Sequence, residues 1–285
     1  MGHKYFGEML KGKRAIITGA SKGLGLLMAR RFLECGAKVA VLCAPFEEIS
    51  PVIEELRAID SHFEVLGYKP NLTDETELSV MMADIVVKWG GVDILVNNAG
   101  IYPTREFEEY PKKMFEDVFE LNVTAPFVVT KQVLKVMKEN ENGGVVLNTS
   151  SMAGTAGAMR NIGYTASKHA VEGITKGLAR ELGQYGIRVN GVAPAGIIRT
   201  DVNGSPIVAP INSVEGYNSE DAEKWQNAYQ IANKFAPMGT SQLHPDEYIN
   251  AFIFLASDAA KYISGHTIEV NAACVWPAAS PASCL

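Results

Sequence analysis

No apolar run in this chain approaches the roughly 20 residues that a helical membrane span needs. The segment from Met1 to Lys13 is polar and holds no signal-type apolar stretch. Met1-Gly2 is followed at position 6 by Phe6, not by the Ser or Thr of a myristoylation signal. We therefore expect a cytoplasmic protein with no membrane partner. Cysteine is scarce too: Cys35, Cys43, Cys274 and Cys284 include no Cys-x-x-Cys pair and have no histidine-rich cluster beside them. That speaks against a disulfide framework and a zinc site, so reduced thiols and no metal are expected. An excess of positive charge is also missing. The net charge of −6 argues against nucleic acid as a partner. There is no internal repeat, and low complexity is confined to a short Ala/Ser/Pro tail from Ala278. What remains is ordinary: 285 residues, 47% of them apolar, enough for a sizeable core in one large domain or two small ones.

The pattern alternates. Arg14 to Thr18 is a short apolar run followed at once by Gly19-Ala-Ser-Lys-Gly-Leu-Gly25, an amphipathic segment from Leu26 to Cys35, and a second apolar run from Lys38 to Leu42. This predicts a strand, a glycine turn, a helix and a strand. Such a turn lets the backbone approach a pyrophosphate at a helix N-terminus, where free N–H groups favour anions. Helices are then predicted over Phe46–Ile59, Thr73–Trp89 (capped by Thr73 or Asn71), Lys112–Glu139 (bent at Pro126), Tyr164–Tyr185 and Asp246–Ser257. Strands are predicted over Phe63–Gly67, Ile94–Asn97, Val145–Thr149, Arg188–Ala193 and His266–Val270. Strands alternating with helices predict an α/β fold: one doubly wound Rossmann domain with about seven parallel strands and helices on both faces. We divide the chain into an arm over 1–12, the domain over 13–273, and a tail over 274–285. The long segment 200–239 carries Pro206, Pro210 and Pro237, and Glu220–Asn233 within it has a helical pattern.

Tyr164 and Lys168 stand four residues apart at the start of a predicted helix and so share a face. An ammonium beside a phenol favours the phenolate, pulling the Tyr pKa down from its reference of about 10. Taken alone, this spacing also fits an aromatic ring packed on a lysine stem.

Five motifs in order weigh against that plainer reading. Thr18-Gly-Ala-Ser-Lys-Gly-Leu-Gly25, Asn97-Asn-Ala-Gly100, Asn122 in Leu-Asn-Val, Ser150-Ser151 before Tyr164 and Lys168, and Val189-Asn190 before Pro194 resemble the motifs of the short-chain dehydrogenase/reductase family. The resemblance spans roughly Lys13 to Ala272. It implies an NAD(P)-dependent oxidoreductase acting on a secondary alcohol or its ketone. It implies Ser151, thirteen residues before Tyr164, as the group bonded to the substrate oxygen. Tyr164 is then the proton donor or acceptor. Lys168 lowers the Tyr164 pKa and grips the nicotinamide ribose, and Asn122 supports a water leading to Lys168. The cofactor is expected against Gly19, Ser21, Lys22, Gly23, Leu24, Gly25, Cys43, Asn71, Leu72, Asn98, Ala99, Gly100, Pro194, Gly196 and Ile197, together with Tyr164 and Lys168. Asn97 and Asn98 fit loop bracing as well as direct cofactor contact. A homodimer or homotetramer is implied, joined through Lys112–Glu139 and Tyr164–Tyr185. A non-catalytic dinucleotide-binding sensor or scaffold is the rival of a different class, but it would not need Asn122, Ser151, Tyr164 and Lys168 together.

The chain departs from the family pattern in places. Cys43 and Ala44 stand where NAD-preferring members carry Asp and many NADP-preferring members carry Arg. Asn71 replaces an adenine-side Asp. Pro194-Ala195-Gly196 replaces Pro-Gly, and Asn271-Ala272-Ala273 replaces Asp-Gly-Gly. Lys22 can neutralise a 2′-phosphate, so NADP(H) is slightly favoured over NAD(H). For the substrate we expect Ser151, Met152, Met159, Tyr164, Ile207 and Trp225 to form the site, with apolar residues of 200–239 as a lid. This wall favours an apolar, alicyclic or steroid-like alcohol or ketone, as in a hydroxysteroid dehydrogenase. A general carbonyl or polyol reductase is the alternative.

Overall fold

A computed structural model describes residues 7–197, Asn233 and residues 236–274. Most of the 200–239 segment, including Ile207, Trp225 and nearly all of the expected helix Glu220–Asn233, lies outside the described residues. So do positions 275–285.

Seven strands form one sheet: β1 (Arg14–Thr18), β2 (Lys38–Leu42), β3 (Val65–Tyr68), β4 (Ile94–Asn97), β5 (Gly144–Thr149), β6 (Ile187–Pro194) and β9 (Thr267–Val270). Their order is β3-β2-β1-β4-β5-β6-β9, and every pairing is parallel. A small second sheet pairs β7 (Gly196–Ile197) with β8 (Gln242–Leu243). The helices are α1 (Gly23–Glu34), α2 (Ser50–Ile59), α3 (Glu75–Trp89), α4 (Lys112–Phe119), α5 (Ala125–Met137), α6 (Ile162–Leu182) and α7 (Pro245–Ala256). The order of strands reverses between β1 and β4. In open parallel sheets that reversal opens a crevice at the carboxyl ends of the strands, where ligands bind.

Two cores follow from the period-2 geometry of the strands. Ala15 and Ile17 of β1, Val39 and Val41 of β2 and Leu147 of β5 face one way, onto Leu26, Phe32, Phe252 and Ile253. Ile16, Ala40, Leu42 and Val146 face the other way, onto Leu78, Ile85, Val129 and Leu182. Both faces are covered, so the strands read as continuous apolar runs without alternation. Leu10, assigned from the sequence to the arm, is fully buried in the first core, and its N–H donates to Cys35 O at 3.0 Å. The domain therefore takes in the end of the arm.

The expected elements all recur among the described residues, but several ends move. The helix predicted from Phe46 begins at Ser50, because Pro51 supplies a preset first turn. The helix predicted from Thr73 begins at Glu75. Its cap is neither Thr73 nor Asn71 but Asp74, whose carboxylate accepts from the N–H groups of Thr76 and Glu77. The single bent helix predicted over Lys112–Glu139 is two helices joined by a π-helical turn at Glu120–Thr124. Pro126 has no N–H to give, and the chain meets that gap by widening the turn before it.

Candidate active site

The glycine turn is built by close approach. Gly23 lies in the left-handed region (φ 57°), and a side chain there would meet nothing within 4 Å. That open space fronts the N-terminus of α1, whose cap residue Lys22 makes no side-chain capping bond. Helix N-terminal N–H groups fronting an open cradle suit a pyrophosphate. Gly25 is required for a different reason. A Cβ at position 25 would stand 2.1 Å from Gly19 O and 2.6 Å from Asn98 Nδ2. Gly25→Ala is expected to cost about 1–3 kcal/mol by overpacking, lowering Tm by several degrees and abolishing dinucleotide binding as the turn is pushed out of place. Differential scanning fluorimetry with a dinucleotide titration checks this. An unchanged Tm and affinity would show that the turn is not packed as described.

Asn97 and Asn98 brace this turn. Asn98 Nδ2 donates to Thr18 O and Gly19 O (3.1 and 3.2 Å), and the Thr18 hydroxyl accepts from the N–H groups of Asn98 and Ala99. Asn97 is tied to Thr130 and Asn148. Asn71 is likewise occupied locally, accepting from Thr73 in the loop that follows β3, and Leu72 packs against the second core. Gly100 lies against Asn122. Pro194 ends β6, and the carbonyl of Gly196 accepts from Tyr248 Oη at 2.6 Å. Leu24 packs on the first core, and Ile197 pairs with Leu243. Cys43 is buried, and burial pushes its thiol up to about 11, so it offers no charge to a cofactor.

Asn122 sits in the π-helical turn, 1% exposed. Its amide grips both backbone polar groups of Ile101 and donates to Ser167 Oγ at 3.1 Å. It thus joins the loop after β4 to the residue beside Lys168. The two serines divide their tasks. Ser150 donates to Glu172 Oε1 at 2.5 Å and is buried. Ser151, starting a 3-10 turn, accepts from Ala153 N at 3.1 Å and reaches the Tyr164 phenol.

Lys168 is 5% exposed and donates to Thr149 O at 2.6 Å. Burial lowers its pKa to about 8, opposed by the Glu172 carboxylate one turn further along α6. Tyr164 departs from expectation. Burial raises its pKa, and the force pulling it back down is the bond to Ser151, not Lys168. The ammonium is turned to Thr149 and stands 5.4 Å from the phenol ring centre. Glu172, a group not anticipated from the sequence, is a buried carboxylate that also accepts from Thr267 Oγ1 at 2.7 Å. It links β5, α6 and β9 directly behind the site. A Cβ on Gly154 would meet both Ser150 and Glu172, which holds this cluster tight.

One further side chain on the substrate side, Tyr102, was also missed. Tyr102 stands edge-on to Tyr164, with ring centres 4.5 Å apart, and its hydroxyl accepts from Asn161 Nδ2 at 2.8 Å. Its position two residues after Asn97-Asn-Ala-Gly100, at the carboxyl end of β4, was the available signal. Met152 is buried beside Ser151, and Asn271 reaches its sulfur. Met159 is 57% exposed at the rim. Ala272 and Ala273 both hold left-handed backbone (φ 51° and 60°), the conformation that the glycines of the family pattern supply without strain.

Chemically, Ser151 can hold an alcohol or carbonyl oxygen within reach of the Tyr164 hydroxyl, which gives or takes the proton. The Lys168 ammonium lies 5.4 Å from the centre of the Tyr164 ring. The open turn and the helix N-terminus at Lys22 would hold a nicotinamide dinucleotide, which would supply the hydride chemistry.

Comparison with known proteins agrees with this geometry. The family model for short chain dehydrogenase matches residues 13–206. A 3alpha-hydroxysteroid dehydrogenase of Mediterraneibacter gnavus is 40% identical over 265 residues, covering 93% of this chain and 98% of that one. (+)-Borneol dehydrogenase 2 of Salvia officinalis is 31% identical over 92% of this chain and 89% of its own length. The crystal structure of a short-chain type dehydrogenase/reductase from Mycobacterium marinum superposes with a TM-score of 0.78, at 28% identity, covering 97% of this chain and all of that one. With its sheet order, glycine turn and Ser151–Tyr164–Lys168 cluster, the chain belongs to the short-chain dehydrogenase/reductase family and is an NAD(P)-dependent oxidoreductase.

Proposed function

We propose that this enzyme moves a hydride between a nicotinamide dinucleotide and the secondary alcohol or ketone of an apolar, alicyclic or steroid-like compound. Ser151 and Tyr164 handle the oxygen and its proton, and Lys168 and Asn122 complete the catalytic set. The observation that carries the substrate class is the wall beside Tyr164. Tyr102 lies edge-on to the phenol, Met152 is packed beneath Ser151, and Met159 stands at the rim. Such a surface gains by covering a rigid hydrocarbon and offers few groups to a polyol. Arg160, next to Met159, is engaged by Glu106 at 2.9 Å, so it is not an open seat for a phosphorylated substrate. The hydroxysteroid and bicyclic-alcohol dehydrogenases among the relatives support the same class. Ile207 and Trp225 complete the wall in this reading, with 200–239 as a lid. Assembly as a homodimer or homotetramer through α4–α6, in the cytoplasm, goes with it. Among the described residues no helix is long and apolar enough to cross a membrane.

The test is a kinetic panel of hydroxysteroids, small aliphatic ketones and polyols with both dinucleotides. The expected outcome is a kcat/KM for a hydroxysteroid at least tenfold above the other two groups. Activity confined to polyols would overturn the substrate class.

A further inference from the structure

The expectation of NADP(H) rested on Lys22 as an open partner for a 2′-phosphate. In the folded chain the Lys22 ammonium lies 2.9 Å from Glu47 Oε1. Lys22 is in the glycine turn, and Glu47 is in the loop that follows β2. That loop begins at Cys43, where the family pattern expects a charge and this chain has none. Dinucleotide domains place an acidic residue about 20 residues beyond the glycine turn, where it binds the adenosine ribose hydroxyls. Glu47 is the carboxylate that reaches the turn from this side. Its other oxygen accepts from Ala44 N at 3.1 Å, and Ser21 of the turn also bonds it. Glu47 is thus drawn back to where the side chain of residue 43 leaves off, and its charge faces the turn itself. Burial alone would raise its pKa, but the bonds from Ser21, Lys22 and Ala44 N outweigh burial and keep it below the ordinary value.

We infer that Glu47 is the residue that sets cofactor choice, binding the adenosine ribose hydroxyls of NAD(H) and repelling the 2′-phosphate of NADP(H). Its physical basis is simple. A 2′-phosphate brought to this turn meets a carboxylate already paired with the one cation of the turn. Accepting the phosphate would require breaking that pair and leaving two anions together. A ribose diol carries no charge and can donate to the carboxylate while the ion pair stays intact. Lys69 acts in the other direction. It stands near enough to Cys43 to pull on its thiol, and it is the charge that would have to prevail for NADP(H) to be taken.

This inference rests on the glycine turn being a dinucleotide seat, and the experiment separates the two. NADH and NADPH are titrated into the protein by calorimetry, with no substrate needed. The wild type is expected to bind NADH at least tenfold more tightly than NADPH. Glu47→Gln keeps an oxygen for Ala44 N but removes the charge. It is expected to bring the two affinities within about threefold, chiefly by a gain in NADPH affinity. Glu48→Gln, an exposed neighbour, should leave the ratio unchanged. Thermal melts of each variant report whether the fold is intact. Equal or tighter binding of NADPH by the wild type overturns the inference while the dinucleotide seat stands. A preference for NADH that survives Glu47→Gln in a folded protein also overturns it. Binding of neither dinucleotide overturns the seat itself, and the inference with it.

Discussion

Tyr164→Phe is expected to lower turnover by about 10²–10⁴, the range of a general acid or base, while leaving dinucleotide affinity within twofold of wild type. The substitution removes one oxygen and nothing else. The ring keeps its edge-on contact with Tyr102 and its place on α6 one turn before Lys168, so the site stays assembled. Ser151 loses its partner but keeps the bond from Ala153 N. The pH dependence has a definite sign. Burial holds the phenol above its ordinary pKa, so at neutral pH it carries its proton and is ready to donate to a ketone oxygen. Alcohol oxidation needs the phenolate, so its rate should climb with pH through the alkaline range. Ketone reduction should be flat near neutrality and fall at high pH. Single-turnover and steady-state rates in both directions check this. Near wild-type turnover in Tyr164→Phe would remove the phenol from the mechanism.

The contrast between what could be read in the sequence and what could not follows from distance along the chain. Tyr164 and Lys168 are one helical turn apart, and the glycine turn occupies consecutive positions, so local geometry makes both legible. The sheet was legible for a related reason: strands buried on both faces must be continuous apolar runs, as Lys38–Leu42 is. Glu172, Glu47 and Tyr102 were not legible. Glu172 acts through Ser150 and Thr267, which lie 22 and 95 positions away. On a helix it reads as one more surface acid until the sheet is folded against it. Glu47 escaped notice because the expected acid position, Cys43, is neutral, and a loop had to fold back to bring a carboxylate to Lys22. The π-helical turn at Asn122 was missed because periodicity continues across it. Only Pro126 marked the place, and a proline predicts a bend as readily as a widened turn. The Tyr164 pKa differs from the expectation in direction as well as in cause: burial raises it, and Ser151 opposes the rise. Sequence proximity to Lys168 suggested the ammonium, but that group is turned to Thr149 O.

Lys168→Met should separate function from stability. Turnover is expected to fall by at least about 10², because the buried cation 5.4 Å from the Tyr164 ring is lost from the proposed catalytic set. The effect on the fold depends on pH. In the folded protein burial brings Lys168 to about 8, whereas in the unfolded chain it returns to its ordinary value of 10.5. Between those two values the unfolded state holds the extra proton, so the stability of the wild type rises with pH across that window. Below it both states are protonated and the full cost of burying the ammonium is present. At about 1.36 kcal/mol per pH unit, that cost is of order 3 kcal/mol. Methionine carries no proton, so the variant lacks this dependence. It also leaves Thr149 O without its donor, but that loss is the same at every pH and cancels when the difference is followed. The substitution also takes away the ammonium whose pKa Glu172 supports. The stability of wild type minus that of Lys168→Met is therefore expected to rise by about 3 kcal/mol between pH 7 and pH 10.5, by urea unfolding at fixed ionic strength. A difference that stays flat, or falls, would mean that Lys168 is solvated in the native protein and that its ammonium is not held under strain beside Tyr164.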